Sequence, residues 1–136
     1  MNATVRWNQK MSFVGKTGSN HSVVMDTSAL GGDGAAPSPM EMVLLGLAGC
    51  SGIDVVSILN KKRVNLDNFE IRIINAERAD EHPKVFTKVE MEYAFSGEDL
   101  NPKHLEDAVA LSIDKYCSVA GMLKHTAKID WRVVIE

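Results

Sequence analysis

Apolar and polar positions alternate along three short runs near the start of the chain, Ala3 to Trp7, Met11 to Val14 and Ser22 to Met25. Such alternation turns one face of a strand toward a core and the other toward water. Asn8-Gln9-Lys10 and the stretch from Gly15 to Asn20 divide the runs, so a β-meander is expected. Leu30-Gly-Gly-Asp-Gly-Ala-Ala-Pro-Ser-Pro39 follows as a loop by composition. Apolar residues then run almost unbroken from Met40 to Leu59. Ser38-Pro39-Met40-Glu41 combines an N-cap Ser, a Pro at the first helical position and the Glu of a capping box, which starts a helix at Pro39. The helix should reach about Lys61 and be buried on most faces, because apolar side chains surround it. Gly46, Gly49 and Gly52 each cost roughly 1 kcal/mol relative to Ala there, which implies that another element approaches closely. Glu41, Asp54 and the small residues interrupt the tract, so no membrane partner is expected.

Alternation returns from Phe69 to Ala76 and from Val85 to Phe95, an expected antiparallel pair separated by the polar Glu77 to Pro83. Asn101-Pro102 opens a second helix, apolar at Leu105, Val109 and Ile113, that should reach Tyr116 and leave Cys117 at its end. A short helix from Ser118 to Lys124 follows or continues it, and Ile129 to Ile135 closes as a strand. Strands, buried helix, strands, helices, strand is the order of an α+β protein, expected as one domain over residues 1–136.

With 45% apolar and 24% charged residues the chain has the balance of an ordinary globular protein. Its net charge of −3, with no basic run longer than Lys61-Lys62-Arg63, argues against a nucleic-acid partner. The stretch from Met1 to Trp7 lacks the apolar run of an export signal, so a cytoplasmic location is expected. Two cysteines do not make a disulfide framework. His21, His82, His104 and His125 are scattered and read as solvated, so neither a metal site nor a cofactor is expected. The seven methionines read mainly as core filler, with Met40, Met42 and Met122 as candidates to line an apolar pocket.

A free Cys often serves only as a small buried hydrophobe, so the surroundings decide. Cys50 lies within Gly46-Leu-Ala-Gly-Cys-Ser-Gly52, where small residues leave room for a second element or a substrate. Cys117 lies at a helix junction, where free backbone N–H groups favour a thiolate. Asp54, four residues beyond Cys50, shares its helix face and would raise the thiol pKa unless a basic group neutralises it. Glu41 precedes Cys50 by nine residues and falls on the opposite helix face, about 13 Å away, where the capping role accounts for it.

The segment Pro37-Ser-Pro-Met-Glu-Met-Val-Leu-Leu-Gly-Leu-Ala-Gly-Cys-Ser-Gly-Ile-Asp-Val55 and, 67 residues after Cys50, Lys115-Tyr-Cys-Ser-Val119 resemble the osmotically induced protein C (OsmC) and organic hydroperoxide resistance (Ohr) family, its YhfA-like subgroup in particular. The resemblance covers essentially the whole chain. It implies an OsmC-like fold, with antiparallel sheets around a long buried central helix, and an intertwined homodimer with the cysteines near the subunit interface. It further implies a thiol-dependent peroxidase that reduces organic hydroperoxides. Cys50 would be the peroxidatic thiolate, Cys117 would resolve its sulfenic acid as a disulfide, and a dithiol reductant such as a lipoyl group would restore the pair. The family pattern also places a Glu ten residues before the first cysteine and an Arg on the N-terminal strands. Here Met40 occupies the first place with Glu41 beside it, and no Arg lies between Trp7 and Cys50, which leaves Lys10 or Lys16 as cations. The catalytic candidates are therefore Cys50, Cys117 and Glu41. The missing Arg keeps a second reading open, a non-enzymatic protein binding a small hydrophobic or electrophilic ligand at the dimer cleft. Inert buried thiols are the third.

Overall fold

The computed structural model describes all 136 residues. The chain is α+β and divides into two compact units, Met1–Leu45 and Gly46–Glu136, with one long helix running through the boundary.

The first unit carries an antiparallel meander of β1 (Ala3–Trp7), β2 (Phe13–Thr17) and β3 (Ser22–Met25). β1 and β3 lie where the alternation puts them. β2 begins two residues later than expected and absorbs Gly15, Lys16 and Thr17, because the ladder pairs Gly15 with Val5 on one side and Val23 on the other. Composition suggested a loop there, but pairing on both edges overrides a weak local preference. Beyond β3 the buried Asp26 carboxylate accepts the backbone N–H groups of Thr27 at 2.7 Å and Ala35 at 3.0 Å, which closes the following loop on itself. Gly32 is required in that loop, since a Cβ there would fall 1.9 Å from the Thr27 carbonyl oxygen.

Helix α1 spans Pro39–Lys61, as the capping box predicts. Ser38 Oγ accepts the Glu41 N–H at 3.1 Å, and the Glu41 carboxylate accepts the Ser38 N–H at 3.0 Å. By length and composition α1 is apolar enough to cross a membrane, yet Leu47, Ser51, Val55 and Leu59, spaced by one helical turn, are buried within the second unit. Burial on most faces is not observed. Leu45, Ile53 and Val56 are exposed, Ile53 at 75%, so the apolar excess lies on an open face. The glycines divide likewise. A Cβ on Gly52 would stand 3.2 Å from Ile71 Cδ1, whereas Gly46 and Gly49 meet nothing within 4 Å.

In the second unit β4 (Asn68–Arg78), β5 (Phe86–Ser96) and β6 (Lys128–Ile135) form one sheet, and the long pair β4–β5 is antiparallel as expected. β6 runs parallel to β5, so this sheet is mixed, where antiparallel sheets throughout were expected. A parallel neighbour needs a long crossover. α2 (Pro102–Leu111), a π-helical turn (Ser112–Tyr116) and α3 (Ser118–Leu123) supply it. One face of the sheet carries Phe69 stacked on Phe95, with ring centroids 4.5 Å apart, and Trp131 edge-on to Tyr93. On the other, Arg72, Glu92 and Arg132 stand in register across the three strands. The two guanidinium groups hold the Glu92 carboxyl below its usual range, Arg72 most strongly.

Candidate redox site

The second helix does not reach Tyr116 as an α-helix. It widens after Leu111 into a π turn, in which the Cys117 N–H donates to the Ser112 carbonyl at 2.7 Å, five residues back. Single π turns frequently mark functional sites, because they re-aim the side chains that follow. Lys124 Nζ satisfies the Ile113 carbonyl left free by the widened turn, at 2.5 Å. The chain then turns extended at Cys117, which becomes the N-cap of α3.

Cys117 is 4% exposed. Its Sγ accepts the Ala120 N–H at 3.3 Å and lies 4.0 Å from the Leu47 carbonyl oxygen, on the buried face of α1 one turn before Ser51. Cys50, half-buried on α1, stands close enough that the two sulfurs interact directly. The cysteine pair is thus brought together, and both are free thiols.

Expectation and structure part company on the state of Cys117. Backbone N–H groups at the helix junction do reach the sulfur and favour its thiolate, but burial outweighs them and Cys50 adds to the rise, pushing the Cys117 thiol up to about 11. None of the chain's ion pairs or hydrogen bonds joins a basic side chain to either sulfur. Lys10 is held by Asp33 at 2.6 Å, and Lys16 is exposed on β2. Glu41 stays within the capping box, where hydrogen bonds from Ser38 hold its carboxyl below the usual range. The four histidines are exposed, and among the methionines Met91 alone reaches the core, so the core-filler reading fails for the rest. Met122, 65% exposed, stands open to solvent.

Beside the thiols lies a buried polar chain that the sequence reading missed. Ser51 Oγ and Tyr93 Oη are 2.7 Å apart, Ser112 Oγ lies 2.8 Å from Ser51 Oγ, and Ser112 Oγ donates to Asp54 Oδ2 at 3.0 Å. Ser51, Ser112 and Tyr93 are fully buried, while Asp54 is half-buried. Burial pushes the Tyr93 phenol up to about 12, opposed by the Ser51 hydrogen bond, and charge on Cys117 or Asp54 raises it further. Asp54, expected to act on Cys50, is held by Ser112 and bears on Tyr93. Two serines within apolar helical tracts were the available signal, but their partners lie 42 and 61 residues away in the chain.

An α+β chain with two facing thiols on a long helix and a π turn can be placed among known proteins. A family model described as OsmC-like protein matches residues 31–132. The chain is 43% identical to Protein YhfA of Escherichia coli over 129 residues, which is 95% of this chain and 93% of that protein. A solved structure of a hypothetical protein from Aquifex aeolicus is 33% identical, covers 99% of this chain and 96% of its own, and superposes with a TM-score of 0.81. An organic hydroperoxide resistance protein OsmC from Legionella pneumophila, at 17% identity, shares the fold with a TM-score of 0.73, covering 97% of this chain and 94% of its own. The chain belongs to the OsmC-like family.

The asymmetry of the thiols has a direct consequence for labelling. Iodoacetamide at pH 7 should modify Cys50 at least about tenfold faster than Cys117, since the alkylating species is the thiolate and Cys117 is both buried and protonated. Mass spectrometry of timed digests reads the two sites separately, and faster modification of Cys117 would contradict the assignment. Because the Cys117 pKa is raised on folding, the unfolded chain loses that proton first as pH climbs. Stability should therefore fall between about pH 8.5 and about 11, and fall less in Cys117→Ser.

Proposed function

We propose that the protein is a thiol-dependent peroxidase acting on organic hydroperoxides through Cys50 and Cys117. The observation that carries the reading is the juxtaposition of a half-exposed thiol and a buried one on separate elements. The Cys50 thiolate attacks the distal peroxide oxygen, the O–O bond breaks, the alcohol leaves and Cys50 becomes a sulfenic acid. Cys117 then attacks that sulfur, expelling water and forming the disulfide, which an external dithiol reduces. A resolving thiol that stays protonated until its target forms is protected from direct oxidation, which suits the raised pKa of Cys117. The family relatives named as organic hydroperoxide resistance proteins support the substrate class. Free thiols suit a reducing cytoplasm.

Turnover of cumene hydroperoxide with dihydrolipoamide tests the reading. The wild type should turn over many equivalents and Cys50→Ser should fall to the uncatalysed rate. A wild-type rate equal to that of Cys50→Ser would leave the ligand-binding alternative as the better account.

The working form, on this proposal, is a homodimer. Its support is the apolar side of α1 that the single chain leaves open, where Ile53 and Val56 are exposed and Gly49 meets nothing within 4 Å. Sedimentation should give twice the 14.9 kDa of one chain, and Ile53→Arg should shift the population to monomer. A monomeric wild type at tens of micromolar would overturn it.

A further inference from the structure

We propose that Tyr93, Ser51, Ser112 and Asp54 form a hydrogen-bonded path that takes the proton from Cys117 when this thiol attacks Cys50. The inference rests on the dithiol reading and assigns to it four positioning residues outside the cysteine motifs.

The path has a direction. A carboxylate only accepts, so the single Ser112 hydroxyl hydrogen donates to Asp54 Oδ2 at 3.0 Å. Ser112 then accepts from Ser51, 2.8 Å away, and Ser51 accepts from Tyr93, 2.7 Å away. The Ser51 carbonyl, at 3.4 Å from Ser112 Oγ, and the Met91 sulfur, at 3.8 Å from Tyr93 Oη, are longer alternatives. Every hydroxyl therefore points its hydrogen toward one carboxylate. The chain begins among fully buried groups and ends at a half-buried acid, so it connects the interior with the rim.

Cys117 is tied to this path by the backbone. Its N–H is held by the Ser112 carbonyl at 2.7 Å, and its sulfur sits against the Leu47 carbonyl, one helical turn before Ser51. The titratable groups that face Cys117 are Cys50 from α1 and Tyr93 from β5, while Lys124 of α3 is engaged by Asp114 and the Ile113 carbonyl. A thiol held protonated by burial has no basic side chain to receive its proton. A phenol backed by two hydroxyls and a carboxylate is the one outlet on the page.

An aryl mixed disulfide isolates the step. Reduced protein mixed with one equivalent of Ellman's reagent should release two equivalents of aryl thiolate in two phases. In the first, Cys50 attacks the reagent. In the second the Cys117 S–H bond breaks, its electron pair forms the bond to Cys50 Sγ, and the aryl thiolate leaves with the pair of the broken S–S bond. The proton moves to Tyr93 as Tyr93, Ser51 and Ser112 each pass one on, and Asp54 receives the last before solvent takes it.

Asp54→Asn keeps a hydrogen-bond acceptor but cannot take a proton, and Tyr93→Phe removes the entry hydroxyl while keeping the ring. Both should leave the first phase within about twofold and slow the second about tenfold or more, the scale of a lost general base. A second phase unchanged in Asp54→Asn overturns the path, as does equal slowing of both phases, which marks a purely structural network. A wild type without a second phase overturns both the path and the dithiol reading. Two wild-type phases without hydroperoxide turnover would sink the peroxidase alone, and the variants still decide the path.

Discussion

The buried hydroxyl of Ser51 is the point on which the second unit depends. It stands where α1, β5 and the π turn meet, within 2.7 Å of Tyr93 Oη and 2.8 Å of Ser112 Oγ. No water reaches it, so each hydroxyl is satisfied only while all three elements hold their places. An unpartnered buried hydroxyl costs about 1–3 kcal/mol, and this node would orphan two at once. Cys50 precedes Ser51 in the chain, and Cys117 hangs from the Ser112 carbonyl, so the contact that fixes the helix on the sheet also fixes the distance between the sulfurs.

The surroundings of the two thiols then differ by design of the fold. Cys50 sits on the side of α1 next to its open apolar face, reachable from solvent. Cys117 is enclosed between the crossover and the helix, where loss of hydration dominates its chemistry and the Ala120 N–H offsets only part of the penalty. One sulfur is placed to meet an oxidant and the other to wait for it. No basic side chain supports either, which sets this site apart from the Arg-assisted arrangement that the family resemblance implies.

Local signals were legible where the physics is local. The capping box located the first residue of α1, and alternation located β1 and β3. Three features were not legible, each because it depends on distant partners. The extension of β2 through Thr17 is decided by ladders on both edges. The parallel direction of β6 is decided by the crossover, not by its own residues. The π turn adds one residue between Ser112 and Cys117, and no propensity marks it. The cysteine motifs identified the thiols, but burial on most faces of α1 was inferred from its apolar count and proved wrong, since one chain covers only the stripe through Leu47, Ser51, Val55 and Leu59.

The central claim is that Cys50 and Cys117 react with one another within a chain. Reduced protein treated with one equivalent of cumene hydroperoxide and quenched with a thiol-blocking reagent should show, by intact mass, the loss of two hydrogens and no added blocking group. Two fully blocked thiols after prolonged exposure, or a disulfide that links Cys50 of separate chains, would contradict it.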